Sequence, residues 1–117
     1  MAKWDQTSVF HRRYRKLDRR QQGAFRQAVN ELNGVIETGG FVFPRGESLD
    51  LHTYSGFERP PALWSMDFAT DGDHRALFTI DADVVIWQFI GTHAEIVRWQ
   101  KEIGPRGLRK TRHSGAA

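Results

Sequence analysis

The sequence predicts an α+β fold: an N-terminal antiparallel helix hairpin packed on a small twisted antiparallel sheet of three to four strands, with a short C-terminal helix and a basic tail. Three observations lead there. Apolar residues recur at helical spacing through the first third of the chain, as Phe10, Tyr14 and Leu17 and then Phe25, Val29, Leu32 and Ile36. From Trp64 to Ile90, short apolar or alternating runs are broken by tight acidic turns, as in consecutive antiparallel strands. The 117 residues include no cysteine, and no apolar run nears the roughly 20 residues that span a bilayer. One domain without a disulfide framework is expected, in the cytoplasm and with no membrane contact.

The elements follow in order. Thr7 or Ser8 caps a first short helix, whose apolar face is ringed by Arg12, Arg13, Arg15 and Lys16. Asp18 sits between the two apolar patterns and caps a second helix, with Gln21 three residues on completing a capping box. That helix runs to about Glu37 and stops at Gly39-Gly40. Phe41 to Ser48, with Pro44 and Gly46, reads as a loop, and Leu49 to Tyr54 alternates as a short strand or extended segment. Leu63–Phe68, Arg75–Ile80 and Val84–Ile90 are strands, joined by turns at Asp71-Gly72-Asp73 and Asp81-Ala82-Asp83. The last run is the most apolar and is expected at the centre of the sheet. Thr92, with Glu95 three residues later, starts a short helix carrying Ile96, Val97 and Trp99. The helix hairpin should cover one sheet face and leave the other concave and partly open. Residues 1–103 form the domain; residues 104–117, rich in Gly and basic residues and almost without apolar ones, form a disordered tail.

The net charge of +3 hides an asymmetry: residues 1–30 carry +6, residues 31–97 carry −8 and residues 98–117 carry +5. Basic ends around an acidic middle point to an anionic partner, nucleic acid or ribosome, meeting the helices and tail. The candidate contacts are Arg12, Arg13, Arg15, Lys16, Arg19, Arg20, Arg98 and Lys101. The bland alternative is a solvated helix face.

Chemistry concentrates at one end of the strands. A short turn between antiparallel strands brings the start of one beside the end of the next, so Arg75 should lie near His93. A guanidinium donates in a planar fork and stays charged, which suits a phosphorane; an imidazole titrates near neutrality, which suits proton transfer. Asp67 can act as a base or simply pair with Arg75. His74 neighbours Arg75 but alternation turns it to the opposite face. Trp64, Trp87 and Trp99 fall in apolar patterns and belong to the core rather than to base stacking. The five histidines are scattered without metal-ligand spacing, and no Gly-rich phosphate loop or Ser–His–Asp signature occurs.

Three pieces, Phe10–Asp18, then Leu63–Phe68 with Asp71–Phe78, then Val84–Ile90 running into Gly91-Thr92-His93-Ala94-Glu95, together resemble the RelE/ParE superfamily of toxins from type II toxin–antitoxin pairs. The likeness spans about residues 4–100 and rests on the order and spacing of the pieces. For the RelE branch it implies an endoribonuclease that cuts mRNA, commonly on the ribosome, with no metal or other cofactor. The implied partners are a cognate antitoxin and the mRNA and ribosome, as a homodimer or a toxin–antitoxin hetero-oligomer. Arg75 matches the strand arginine that contacts the scissile phosphate, and His93 falls where the family places an Arg or a His. His52 precedes the aromatic strand and is a possible further site residue. At Ser65 and Asp67 this chain departs from active relatives, which often carry lysines there; Arg59, Arg98 and Lys101 are cations that would compensate. The alternative is a ParE-like toxin that inhibits DNA gyrase without cutting RNA, or a degenerate relative that only binds RNA or protein.

Overall fold

A computed structural model describes residues 3–41, 49–54, 56–59, 61–68 and 73–110. The elements are β1 (Lys3–Gln6), α1 (Ser8–Lys16), α2 (Arg19–Gly39), β2 (His52–Thr53), β3 (Trp64–Asp67), β4 (His74–Asp81), β5 (Val84–Thr92) and α3 (His93–Lys110). They form the expected α+β arrangement around one sheet of order β1-β5-β4-β3-β2. Strands β3, β4 and β5 fall where the alternation placed them, but β4 and not β5 takes the central position; β5 is second from the edge, and its apolar run reflects burial between β1 and β4 and between two cores. The sheet is larger than expected by β1, which pairs parallel with β5 while the other pairs are antiparallel. The strand Lys3–Gln6 carries a single apolar residue, Trp4, too little for periodicity to reveal. Tertiary contact holds it: Trp4 stacks on Trp87 at 6.0 Å between ring centroids.

The helix ends follow from capping chemistry. Thr7 is the N-cap of α1, its hydroxyl accepting the Phe10 N–H at 3.1 Å and donating to the Gln88 carbonyl at 3.0 Å. Asp18 caps α2 in a reciprocal box with Gln21, at 2.8 and 3.2 Å. α2 closes on Gly40, whose φ of 67° suits glycine, with its N–H bonded to the Ile36 carbonyl at 2.7 Å. The β4–β5 turn is Ala82-Asp83, both left-handed (φ 47° and 68°), as a two-residue hairpin requires.

Two cores flank the sheet. The hairpin side gathers Phe10, Phe25, Ala28, Leu32 and Ile36 against Met66, Ala76, Phe78, Val85, Trp87 and Ile90. Trp87 is its hub, meeting the rings of Trp4, Phe10, Phe25 and Phe78 at 5.0 to 6.0 Å. On the far side Leu63, Leu77 and Phe89 meet Phe57, Ile96 and Trp99. That second core corrects the expectation of an open concave face: α3 lies over part of it, so exposed chemistry is confined to the sheet end beyond the helix. A bulge lets β5 serve both faces. Leu77 pairs with Phe89 but Phe78 with Trp87, leaving Gln88 unpaired between them and donating its side-chain amide to Thr79 at 3.0 Å.

The expected boundary at residue 104 coincides with a kink, where Gly104 has φ 62°, but helical backbone continues to Lys110 rather than giving way to a disordered tail at once. Residues 111–117, the loop around Pro44 and the Asp71-Gly72 part of the expected turn lie outside the described residues.

Candidate active site

Strand register builds the site. Asp67 on β3, Arg75 on β4 and Gly91 on β5 stand abreast across three strands. Pleating sends Met66 and Ala76 into the hairpin-side core, so Asp67 and Arg75 face the α3 side. Two residues beyond Gly91, His93 opens α3. Arg75 therefore sits between an acid and an imidazole. Its Nη1 donates to His93 Nδ1 at 3.2 Å, and its Nε faces Asp67 Oδ1 at 3.2 Å. The second contact is Coulombic only: neither Nε nor Oδ1 is aligned for a hydrogen bond, although both are buried. A guanidinium only donates, so His93 Nδ1 is a lone pair in this arrangement and the ring proton of neutral His93 lies on Nε2. The backbone N–H of His93 donates to Asp73 Oδ1 at 3.2 Å.

Partial burial raises the Asp67 carboxyl above its ordinary 3.8, and the nearby charge of Asp50 adds to this, against the opposing pull of Arg75 and His52. Asp50 and His52 reach this neighbourhood because His52 on β2 pairs with Ser65, two residues before Asp67. His52 Nδ1 lies 2.8 Å from the Asp50 carbonyl, and Asp50 itself is left-handed at φ 47°. Ser65, where active relatives of the resembled family often carry a lysine, is fully buried with an unpaired hydroxyl, so it offers nothing to solvent. Among the described residues, no three His, Asp or Glu side chains are grouped to hold a metal ion.

The other expected residues divide. His74 lies on the hairpin face, with Nε2 3.3 Å from the Gln21 amide and its ring against Phe68 at 6.1 Å, away from Arg75 and His93. Arg59 is exposed in the loop before β3, and Arg15, Arg19, Arg20 and Lys101 are exposed on their helices. Arg12, Lys16 and Arg98 rim a groove of about 360 Å³ between α1 and α3, with Val9, Phe89 and Trp99 at its base and Glu102 on its wall. Arg13 lines the same groove but is engaged within the protein. Its Nε donates to the Ile90 carbonyl at 2.7 Å, its Nη2 pairs with Glu95 at 2.6 Å, and its guanidinium lies 4.4 Å from the centre of the Phe89 ring.

Glu95 completes a capping box at the start of α3. It accepts from the Thr92 N–H at 2.9 Å and the Thr92 hydroxyl at 3.1 Å, and its own N–H reaches back to Thr92 Oγ1 at 3.3 Å. The Thr92 N–H and then Arg13 hold its carboxyl down at about 2, against partial desolvation. Sequence reasoning found Thr92 and Glu95 as a cap but missed Asp50 as a neighbour of the site and the contacts of Arg13 with Ile90 and Glu95 beside it. The alternation Leu49-Asp50-Leu51-His52 carried the signal for Asp50, since it sets Asp50 and His52 on one face.

No family model matches the chain, and no curated protein matches it in sequence. Solved structures do match its fold. A copper-bound mutant toxin from Helicobacter pylori aligns over 82% of this chain and 99% of its own at 16% identity, with a TM-score of 0.54. The YoeB dimer from Staphylococcus aureus aligns over 79% of this chain and 97% of its own at 14% identity and TM-score 0.55. A mutant of YafQ from E. coli aligns over 82% and 98% at 10% identity and TM-score 0.50.

Proposed function

We propose that this chain, which has the fold of the RelE-like toxins, is the toxin of a type II toxin–antitoxin system and inhibits translation by cleaving mRNA. The observation that carries the reading is Arg75 held between His93 and Asp67 at the open end of the sheet, 3.2 Å from each. A phosphodiester bound to the guanidinium would lie between two proton carriers, the arrangement that 2′-hydroxyl attack requires. Asp67, as a carboxylate, takes the 2′-hydroxyl proton. The new O2′–P bond forms as the P–O5′ bond breaks. When Arg75 turns to the phosphate, His93 Nδ1 becomes free to carry a proton, and the imidazolium returns one to the leaving 5′ oxygen; the product is a 2′,3′-cyclic phosphate. The exposed cations of α1, α2 and α3 supply sequence-independent attraction to RNA and ribosome.

The proposed partners are a cognate antitoxin and the mRNA on the ribosome. Self-association follows the YoeB dimer as a precedent from that protein alone. No helix among the described residues is long and apolar enough to cross a membrane, and we place the protein in the cytoplasm. Induced expression with growth curves and mRNA 5′-end mapping tests the reading. Growth arrest with new 5′ ends is expected, and both should vanish in Arg75→Ala and His93→Ala. Cleavage that persists in the double variant refutes the residue assignment. The buried Ser65 and the acidic Asp67 favour one second reading, a ParE-like toxin. Inhibition of gyrase supercoiling without RNA cleavage would decide for it.

A further inference from the structure

We infer that Arg13 is the positioning residue of His93: α1 acts through it as the jig that fixes where the imidazole stands. This inference rests on the nuclease reading for its kinetic consequence but not for its geometry. His93 is the first residue of α3 and follows β5 directly, so its place depends on how the strand end meets the helix start. Arg13 grips both sides of that junction. Its Nε holds the carbonyl of Ile90, three residues before His93, and its Nη2 holds the carboxylate of Glu95, two residues after. Glu95 in turn fixes the backbone and hydroxyl of Thr92, the residue next to His93. The guanidinium carbon lies over the Phe89 ring, 4.4 Å from its centre, so packing as well as bonds holds it in place.

Gly91 gives an independent indication. It sits opposite Arg75 in the sheet. A Cβ placed there would come within 2.7 Å of Arg13 Nη2 and 2.9 Å of Glu95 Oε1. The strand end has thus been left bare where the clamp passes over it. Lysine could not replace this arrangement, because a single ammonium lacks the two in-plane donors that reach a carbonyl and a carboxylate at once. The consequence sets Arg13 apart from its neighbours in the basic run. Arg12 and Lys16 face the groove between α1 and α3 and are available to an anion, whereas Arg13 commits its Nε and Nη2 to contacts inside the fold.

The test uses the full chain and two readouts. The first is the imidazole NMR signal of His93, assigned by comparison with His93→Gln and followed through a pH titration in wild type, Arg13→Ala and Glu95→Gln. The expected result is that the His93 signal moves in both variants, while the His74 signal stays put. The second readout is RNA cleavage. A displaced imidazole lowers kcat, on the order of 10- to 100-fold for a misplacement near 1 Å, and shifts the pH–rate profile with KM little changed. An RNA-phosphate contact would instead raise KM and reduce the salt dependence. Glu95→Gln keeps the capping geometry and approaches the clamp from its other side, so it remains informative if Arg13→Ala folds poorly. An unmoved His93 signal in folded variants overturns the inference. A moved signal in a protein that cuts no RNA supports the positioning role and overturns the nuclease reading.

Discussion

Gly91→Ala puts a number on the clamp over the strand end. The added methyl would meet Arg13 Nη2 at 2.7 Å, Glu95 Oε1 at 2.9 Å and Phe89 Cε2 at 3.3 Å. The two polar atoms end flexible side chains and can retreat, so the cost is that of the bonds they leave. The Arg13–Ile90 hydrogen bond is charge-assisted, a class that contributes about 1.5–3 kcal/mol. The Arg13–Glu95 pair is partly exposed, at 30% and 42% of its side-chain surfaces, and after solvent screening contributes about 0.5 kcal/mol. Loss of part of both, offset by about 0.4–1 kcal/mol from the stiffer unfolded chain, leaves Gly91→Ala destabilised by about 1 kcal/mol. In a domain of this size that is roughly 4 °C in Tm. Urea and thermal denaturation of wild type, Gly91→Ala, Arg13→Ala and the double variant form a cycle. In the Arg13→Ala background the cost of the methyl should fall by half or more, because its closest neighbour has gone. Additive effects in that cycle would refute the claim that Arg13 and the bare position at Gly91 are one device.

Three further outcomes are expected. Ala82→Asn relieves a left-handed alanine in the β4–β5 turn (φ 47°) and should raise stability by about 0.5–1 kcal/mol in calorimetry. Asp67 has a folded pKa above its ordinary 3.8, so its charged form opposes folding. Asp67→Asn should stabilise the protein at neutral pH, with the gain disappearing below the unfolded pKa, and should lose RNA cleavage at the same time. Glu95 has the opposite sign: its carboxyl is held at about 2 against an ordinary 4.5. The stability gap between wild type and Glu95→Gln should be full above about pH 4.5 and close as pH falls toward 2, read by urea denaturation across pH.

What the sequence revealed and what it hid divide along the range of the interactions. The proximity of Arg75 and His93 was legible because antiparallel neighbours joined by a short turn set their own register. The helix caps at Thr7 and Asp18 were legible because capping chemistry acts within three residues. Strand β1 was not, because Lys3–Gln6 has no periodicity of its own and forms only against β5, about 80 residues away. Nor was the covering of the second face: Ile96 and Trp99 were recognised as apolar, but the side of the sheet they would choose depends on the bulge at Gln88. Arg13 was hidden for a different reason. Within the run Arg12-Arg13-Tyr14-Arg15-Lys16 its side chain is chemically identical to those of Arg12 and Arg15. Only the tertiary contacts with Ile90, Phe89 and Glu95 single it out.

The parallel pairing of β1 with β5 also bears on the order in which the molecule comes into being. The first strand to leave the ribosome is completed by nearly the last, and the Thr7–Gln88 and Arg13–Ile90 bonds span 81 and 77 residues. Until Val84–Thr92 has emerged, β1 has no partner, the α1 clamp has nothing to grip, and Arg75 has no imidazole beside it. Contacts of such long sequence separation form late and slowly. The pairing of Arg75 with His93 is therefore a property of the finished sheet and not of its parts: a chain in which β5 has not yet docked holds both side chains but not the arrangement between them.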